Sequence, residues 1–107
     1  MLKRIAITGA AVLIALSNTA VAQATCVNNG QDALNRGEIY AAINIWLPCA
    51  QQSSDGEIKY RLGAAYSAAG ERSNALLWLD RAIASGNQQS PQPWWLADAT
   101  NLRAYTQ

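Results

Sequence analysis

The sequence predicts an all-α fold, a short solenoid of about two helical hairpins closed by a C-terminal helix, and three observations carry that prediction. Apolar residues recur at the spacing of one helix face, as in Ile39, Ala42, Ile43, Trp46 and Ala50. Turn-forming residues cut the chain into short pieces at Asn29-Gly30, Gly37, Ser53-Ser54-Asp55-Gly56, Gly70 and Gly86-Asn87. Finally, sliding the chain against itself by 33 residues places Gly30 on Gly63, Gly37 on Gly70, Ala42 on Ala75, Trp46 on Leu79 and Cys49 on Ala82. A repeat of that length built from two antiparallel helices is the signature of a helical solenoid. No stretch shows the sustained alternation of a strand.

The first residues lie outside this pattern. Met1-Leu2-Lys3-Arg4 is a short basic start, followed by a mostly apolar run of twelve residues over 5–16. A small, polar stretch then ends in Ala20-Val21-Ala22 or Ala22-Gln23-Ala24. This order reads as a secretory signal peptide over residues 1–22, with cleavage after residue 24 as the alternative, and the run is too short to span a bilayer. Removing residues 1–22 leaves 107 − 22 = 85 residues, and losing Lys3 and Arg4 turns the charge from +1 to 6 − 7 = −1. So small a net charge gives no electrostatic case for nucleic acid or anionic lipid. Gln23-Ala24-Thr25 before Cys26 is not the Leu-Ala-Gly type that lipid-attaching enzymes accept. The expected product is therefore periplasmic, or alternatively secreted, with no stable membrane insertion once the signal is removed.

The mature chain holds two cysteines, Cys26 and Cys49. An even count in an exported chain reads first as a structural disulfide, and two isolated thiols with no histidine in the chain make a poor metal or redox site. Closing a loop of this length stabilises a small domain by about 3 kcal/mol on the chain-entropy account.

The repeats run over about residues 26–53 and 56–86, with a capping helix at 91–105. In the first, the helix over 38–51 contains Pro48, which should remove one backbone bond and bend or loosen the last turn. Cys26 at the start of one helix and Cys49 near the end of the next are brought together by an antiparallel hairpin. The second repeat opens on Ser54-Asp55-Gly56-Glu57, a capping box in which the Ser54 hydroxyl and the Glu57 carboxylate satisfy amides reciprocally. Leu62, Ala65, Tyr66 and Ala69 line its first helix, and Ala75, Leu76, Leu79, Ala82 and Ile83 its second. The last helix is expected to begin at Ser90-Pro91, an N-cap followed by a first-turn proline, with Trp95, Ala99 and Leu102 covering the face left by residues 71–84.

Leu62, Gly63, Tyr66, Ala75, Leu79 and Ala82, with Gly30, Ala42 and Trp46 in the first copy, resemble the tetratricopeptide family and, more loosely, its Sel1-like relatives. The Sel1-like character lies in Trp46-Leu47-Pro48-Cys49-Ala50 and Leu77-Trp78-Leu79-Asp80-Arg81-Ala82. The chain departs from the pattern at Lys59, where a large aromatic is usual, and at Asn87, where a proline is usual. Asn29 and Ala33 stand where Leu and Tyr would be expected. The resemblance implies a right-handed solenoid whose concave face contacts a partner. Its groove positions correspond to Glu57, Tyr60, Ala64 and Ser67, joined by Gln31 and Asn35 from the first helix and by Ala97, Thr100 and Asn101 from the last.

No catalytic residue, cofactor site or metal site is expected. The carboxylates sit mostly at helix starts, where capping and the macrodipole explain them, and no phosphate-cradling or nucleophile-elbow motif occurs. Trp94-Trp95 is the sharper feature. Adjacent helical side chains point apart, so either one indole is offered to a sugar ring or partner peptide, or both pack internally. Trp78 should face sideways and pack against the capping helix. Arg61, Arg72, Arg81 and Arg103 read as solvated helix residues. The functional expectation is a module that binds an envelope protein or peptide through Gln31, Asn35, Glu57, Tyr60, Ser67, Trp94, Trp95 and Asn101, alone or as a homodimer. Glycan binding through Trp94, Trp95 and Tyr60 is the alternative, and an enzyme built on a carboxylate pair is disfavoured.

Overall fold

The computed structural model describes residues 24–107, and all of their regular structure is helical. The expected signal peptide lies outside these residues. α1 covers residues 24–35, followed by α2 (Ile39–Gln52), α3 (Gly56–Ala68), α4 (Arg72–Asn87) and α5 (Leu96–Thr106). Among the described residues no helix is long and apolar enough to cross a membrane.

The turns that close α1 and α3 are copies of one another. Gly37 and Gly70 adopt φ +78° and +79°, a left-handed conformation open to glycine at little cost. The Glu38 N–H donates to the Ala33 carbonyl and the Glu71 N–H to the Tyr66 carbonyl, both at 2.9 Å. Gly37 and Gly70 donate to Leu34 and Ser67 at 2.9 and 3.0 Å, which completes a Schellman closure in each case. The residues that launch the next helices also match, Glu38 at φ −94°, ψ 74° and Glu71 at φ −92°, ψ 78°. Each partner in these bonds is displaced from its counterpart by the same 33 residues that align the sequence.

The repeat extends to the packing. A Cβ placed on Gly30 would lie 2.1 Å from the Trp46 indole nitrogen, and one on Gly63 would lie 2.8 Å from Leu79 Cγ. In both hairpins a bare backbone in one helix therefore receives a large side chain from the next. Cys26 and Cys49 form a disulfide with Cα atoms 6.7 Å apart, tying the start of α1 to the last turn of α2. Their sulfurs lie 3.3 and 3.5 Å from the Ile45 carbonyl, a contact rather than a hydrogen bond because oxidised sulfur carries no proton.

The core has two parts. Trp46, Ile58, Leu62, Tyr66 and Trp78 centre the larger cluster, which α1 joins through Cys26 and Ala33. Leu79, Ala82, Trp95, Leu96 and Ala99 form the second, where α5 covers α4. Trp78 thus belongs with α2 and α3 rather than with the capping helix, and the Arg81 guanidinium lies 4.8 Å from its ring centroid.

Two local expectations are corrected. Asp55, not Ser54, caps α3: its carboxylate accepts from the Glu57 N–H at 3.0 Å, while the Ser53 hydroxyl accepts from the Asp55 N–H at 2.9 Å. The Glu57 carboxylate is thereby freed from a capping box. Pro48 lies inside α2 near its end, as expected, and the helix runs on to Gln52; a proline forfeits one backbone bond, and the disulfide from the adjacent Cys49 anchors this last turn. The last helix starts at Leu96 rather than at Pro91. Pro93 disfavours helical backbone at Gln92, so the two prolines hold residues 91–93 out of the helix, which begins only after Trp95.

Candidate interaction surface

α3 lies between α1 and α5, and its side chains reach both. The Arg61 Nη1 donates to Gln31 Oε1 at 2.9 Å across to α1, and the Gln31 amide in turn donates to Asn35 Oδ1 at 3.0 Å. Arg61 also pairs with Glu57 one helical turn earlier, with Nε 3.1 Å from Oε2. Four polar side chains from two helices are thus joined in one chain of hydrogen bonds. The ion pair is partly buried, with the two side chains 23% and 27% exposed, and as an i, i+4 helix pair it contributes about a few tenths of a kcal/mol, so it orients the surface more than it stabilises it. Towards α5, the Ser67 and Thr106 hydroxyls lie 3.1 Å apart, and Thr106 also donates to the Leu102 carbonyl at 2.7 Å.

The aromatic part of the surface is organised by Trp95. Its indole is 3% exposed and seats against two glycines, where Cβ atoms on Gly56 and Gly86 would come within 2.5 and 3.0 Å of it. Tyr60 stacks on Trp95 with centroids 6.2 Å apart, and Trp94 meets Tyr60 edge-to-face at 6.3 Å. Trp94 is 63% exposed. Burial raises the Tyr60 hydroxyl above its ordinary pKa, the nearby Asp98 charge adds to the rise, and Arg61 opposes it. Tyr60 therefore stays neutral at physiological pH and remains available as a hydrogen-bond donor.

Of the eight residues expected at a contact surface, Gln31, Asn35 and Glu57 are joined through Arg61, and Tyr60 and Trp94 through ring contact. Ser67 lies further along α3 beside Thr106, and Asn101 is exposed on α5. Trp95 is corrected: as a core residue it supports Tyr60 and offers no surface of its own. Arg61, expected to be a solvated helix residue, is corrected: it is bonded to Gln31 and Glu57, and the Glu57/Arg61 spacing of four on one helix was the signal. Arg81 on Trp78, and Arg103, which pairs with Asp80 to tie α5 to α4, likewise have partners rather than standing solvated alone. Arg72 is exposed.

A shallow cavity of about 210 Å³ lies beyond Ser67, lined also by Gly70, Arg72, Tyr105 and Thr106. It is smaller than the ~300–1,000 Å³ typical of small-molecule sites. Among the described residues no three His, Cys, Asp or Glu side chains converge as a metal site would require. What the surface can do chemically is hydrogen-bond through amide, carboxylate and guanidinium groups while presenting one fixed indole.

No family model, no characterised protein and no solved structure matches the chain.

Proposed function

We propose that the protein is an exported, periplasmic helical-repeat module of the tetratricopeptide or Sel1-like kind that binds another protein of the cell envelope, as an adaptor, assembly factor or inhibitor-like binder. The observation that carries this reading is Trp94, a 63% exposed indole braced by Tyr60 of α3. An ordered, exposed aromatic supplies contact area at low entropic cost, which is why such residues anchor interfaces. The duplicated turns and the Gly30/Trp46 and Gly63/Leu79 contacts support the repeat and its solenoid stacking.

In-cell crosslinking of the tagged protein tests the reading, with Trp94→Ala and Tyr60→Ala as controls. The expected result is one envelope protein recovered with the parent chain and lost with Trp94→Ala. Recovery of wall glycan in its place, also lost with Trp94→Ala, would replace the protein partner with a sugar ligand, for which an exposed indole is equally suited. Recovery of the chain alone, unaffected by either substitution, would overturn both readings in favour of a homodimer.

A further inference from the structure

α1 has little apolar hold on the rest of the molecule. Its counterpart α3 buries Ile58, Leu62, Ala65 and Tyr66. The buried residues of α1 are Cys26, Gly30 and Ala33, which offer a sulfur, bare backbone and one methyl group, with Val27 and Leu34 only partly covered. Burial free energy scales with apolar area, so this helix gains little from docking. Its polar ties are the Arg61–Gln31 bond and a 3.4 Å contact in which the Trp46 indole N–H donates to the Val27 carbonyl. The covalent tie is the disulfide, which holds one end of α1 while the Gly37 turn holds the other. The second core cluster, by contrast, contains no residue of α1.

We propose that the Cys26–Cys49 disulfide is a redox latch: its reduction by a dithiol releases α1 from α2 and uncovers Trp46, while α3, α4 and α5 keep their fold. A thiolate of the dithiol attacks the sulfur of Cys49, the partly exposed half of the pair, and expels Cys26 as a thiolate that takes up a proton. The second thiol of the dithiol then attacks the mixed disulfide and displaces the Cys49 sulfur, which is protonated in turn. Two electrons and two protons pass to the protein, and the dithiol becomes a disulfide. Trp46, 1% exposed while α1 covers it, becomes an apolar surface on α2 that the oxidised protein does not display. In an oxidising compartment the latch is closed by default, so opening it takes a delivered reductant rather than a change in bulk conditions.

Amide hydrogen exchange on the oxidised protein, before and after dithiothreitol, tests this, with thiol alkylation reporting how many cysteines are reduced. Exchange within residues 24–35 should accelerate about 100-fold, the factor corresponding to loss of the loop constraint, while α4 and α5 stay protected. A Cys26→Ala/Cys49→Ala variant should reproduce the opened pattern without reagent, and the reduction of native protein stands as the test if that variant does not fold. Acceleration throughout α3, α4 and α5 would mean that the bond supports the whole domain, and would overturn the latch. So would unchanged exchange in α1 with both thiols alkylated, or a bond that dithiothreitol cannot reduce in the native protein.

Discussion

The two hairpins share one backbone plan and are held together by different means. In the second, α3 supplies Leu62 and Tyr66, Gly63 receives Leu79, and no covalent bond is needed. In the first, the residues displaced by 33 are Asn29, which is exposed, and Ala33, while Gly30 receives the larger Trp46 and a disulfide spans the ends. Lost apolar area on one helix is thus offset by a bigger side chain from its partner and by a constraint on the unfolded chain. Equivalent backbone positions need not carry equivalent energy.

The largest expected contrast lies at the positions where the two copies differ most. Leu62→Ala should destabilise by about 2–5 kcal/mol in chemical denaturation, because it empties a fully buried site. Asn29→Ala, its 33-residue counterpart, is exposed and should stay within about 0.5 kcal/mol. Comparable losses at both positions would end the division of labour proposed between the copies.

The next contrast concerns the close approaches. Gly30→Ala and Gly63→Ala should each destabilise by about 1–3 kcal/mol through overpacking. Gly30→Ala should cost more, because its methyl would meet three indole atoms within 2.6 Å, whereas at Gly63 the nearest atoms are 2.8 Å away or more. Adding Trp46→Leu, which gives the first hairpin the second's side chain, should recover part of the Gly30→Ala loss. An additive double variant would mean that the clash is relieved elsewhere.

Where the copies match, substitutions should match. Gly37→Ala and Gly70→Ala both place a Cβ in the left-handed region with open space around it, and each should cost about 1 kcal/mol. Thermal unfolding would expose any inequality.

The smallest effect is with pH. Burial is the leading cause of raised hydroxyl pKa values at Tyr60 and Tyr66, both in α3. In the unfolded chain these groups ionise near 10.0, so the folded state retains more protons above that pH. Their contribution to stability is complete below pH 10.0 and is lost as the pH rises through the folded values. Midpoints measured from pH 9 to 11.5 should fall, and Tyr66→Phe should reduce the fall.

The helices, the repeat offset and the paired cysteines were legible in the sequence because each leaves a periodic or countable trace. Gly37 and Gly70 marked the turns for a steric reason that acts within the turn itself. The details that escaped depend on competition between neighbours. Ser54 and Asp55 both suit an N-cap, and the backbone path decides for Asp55. Pro91 alone reads as a helix start, but Pro93 two residues later removes the helical option from the residue between them. Trp94 and Trp95 are equivalent by composition, and only Gly56 and Gly86, one on each of two other helices, determine which indole is taken in.

That sorting of tryptophans gives the protein an optical label of its own. Three indoles, Trp46, Trp78 and Trp95, are between 1% and 4% exposed, and Trp94 is 63% exposed. A charged quencher such as iodide reaches the fourth and not the others, so the quenchable share of the emission belongs to the candidate contact surface. Occupancy of that surface can then be followed as a loss of quenching in the unmodified chain.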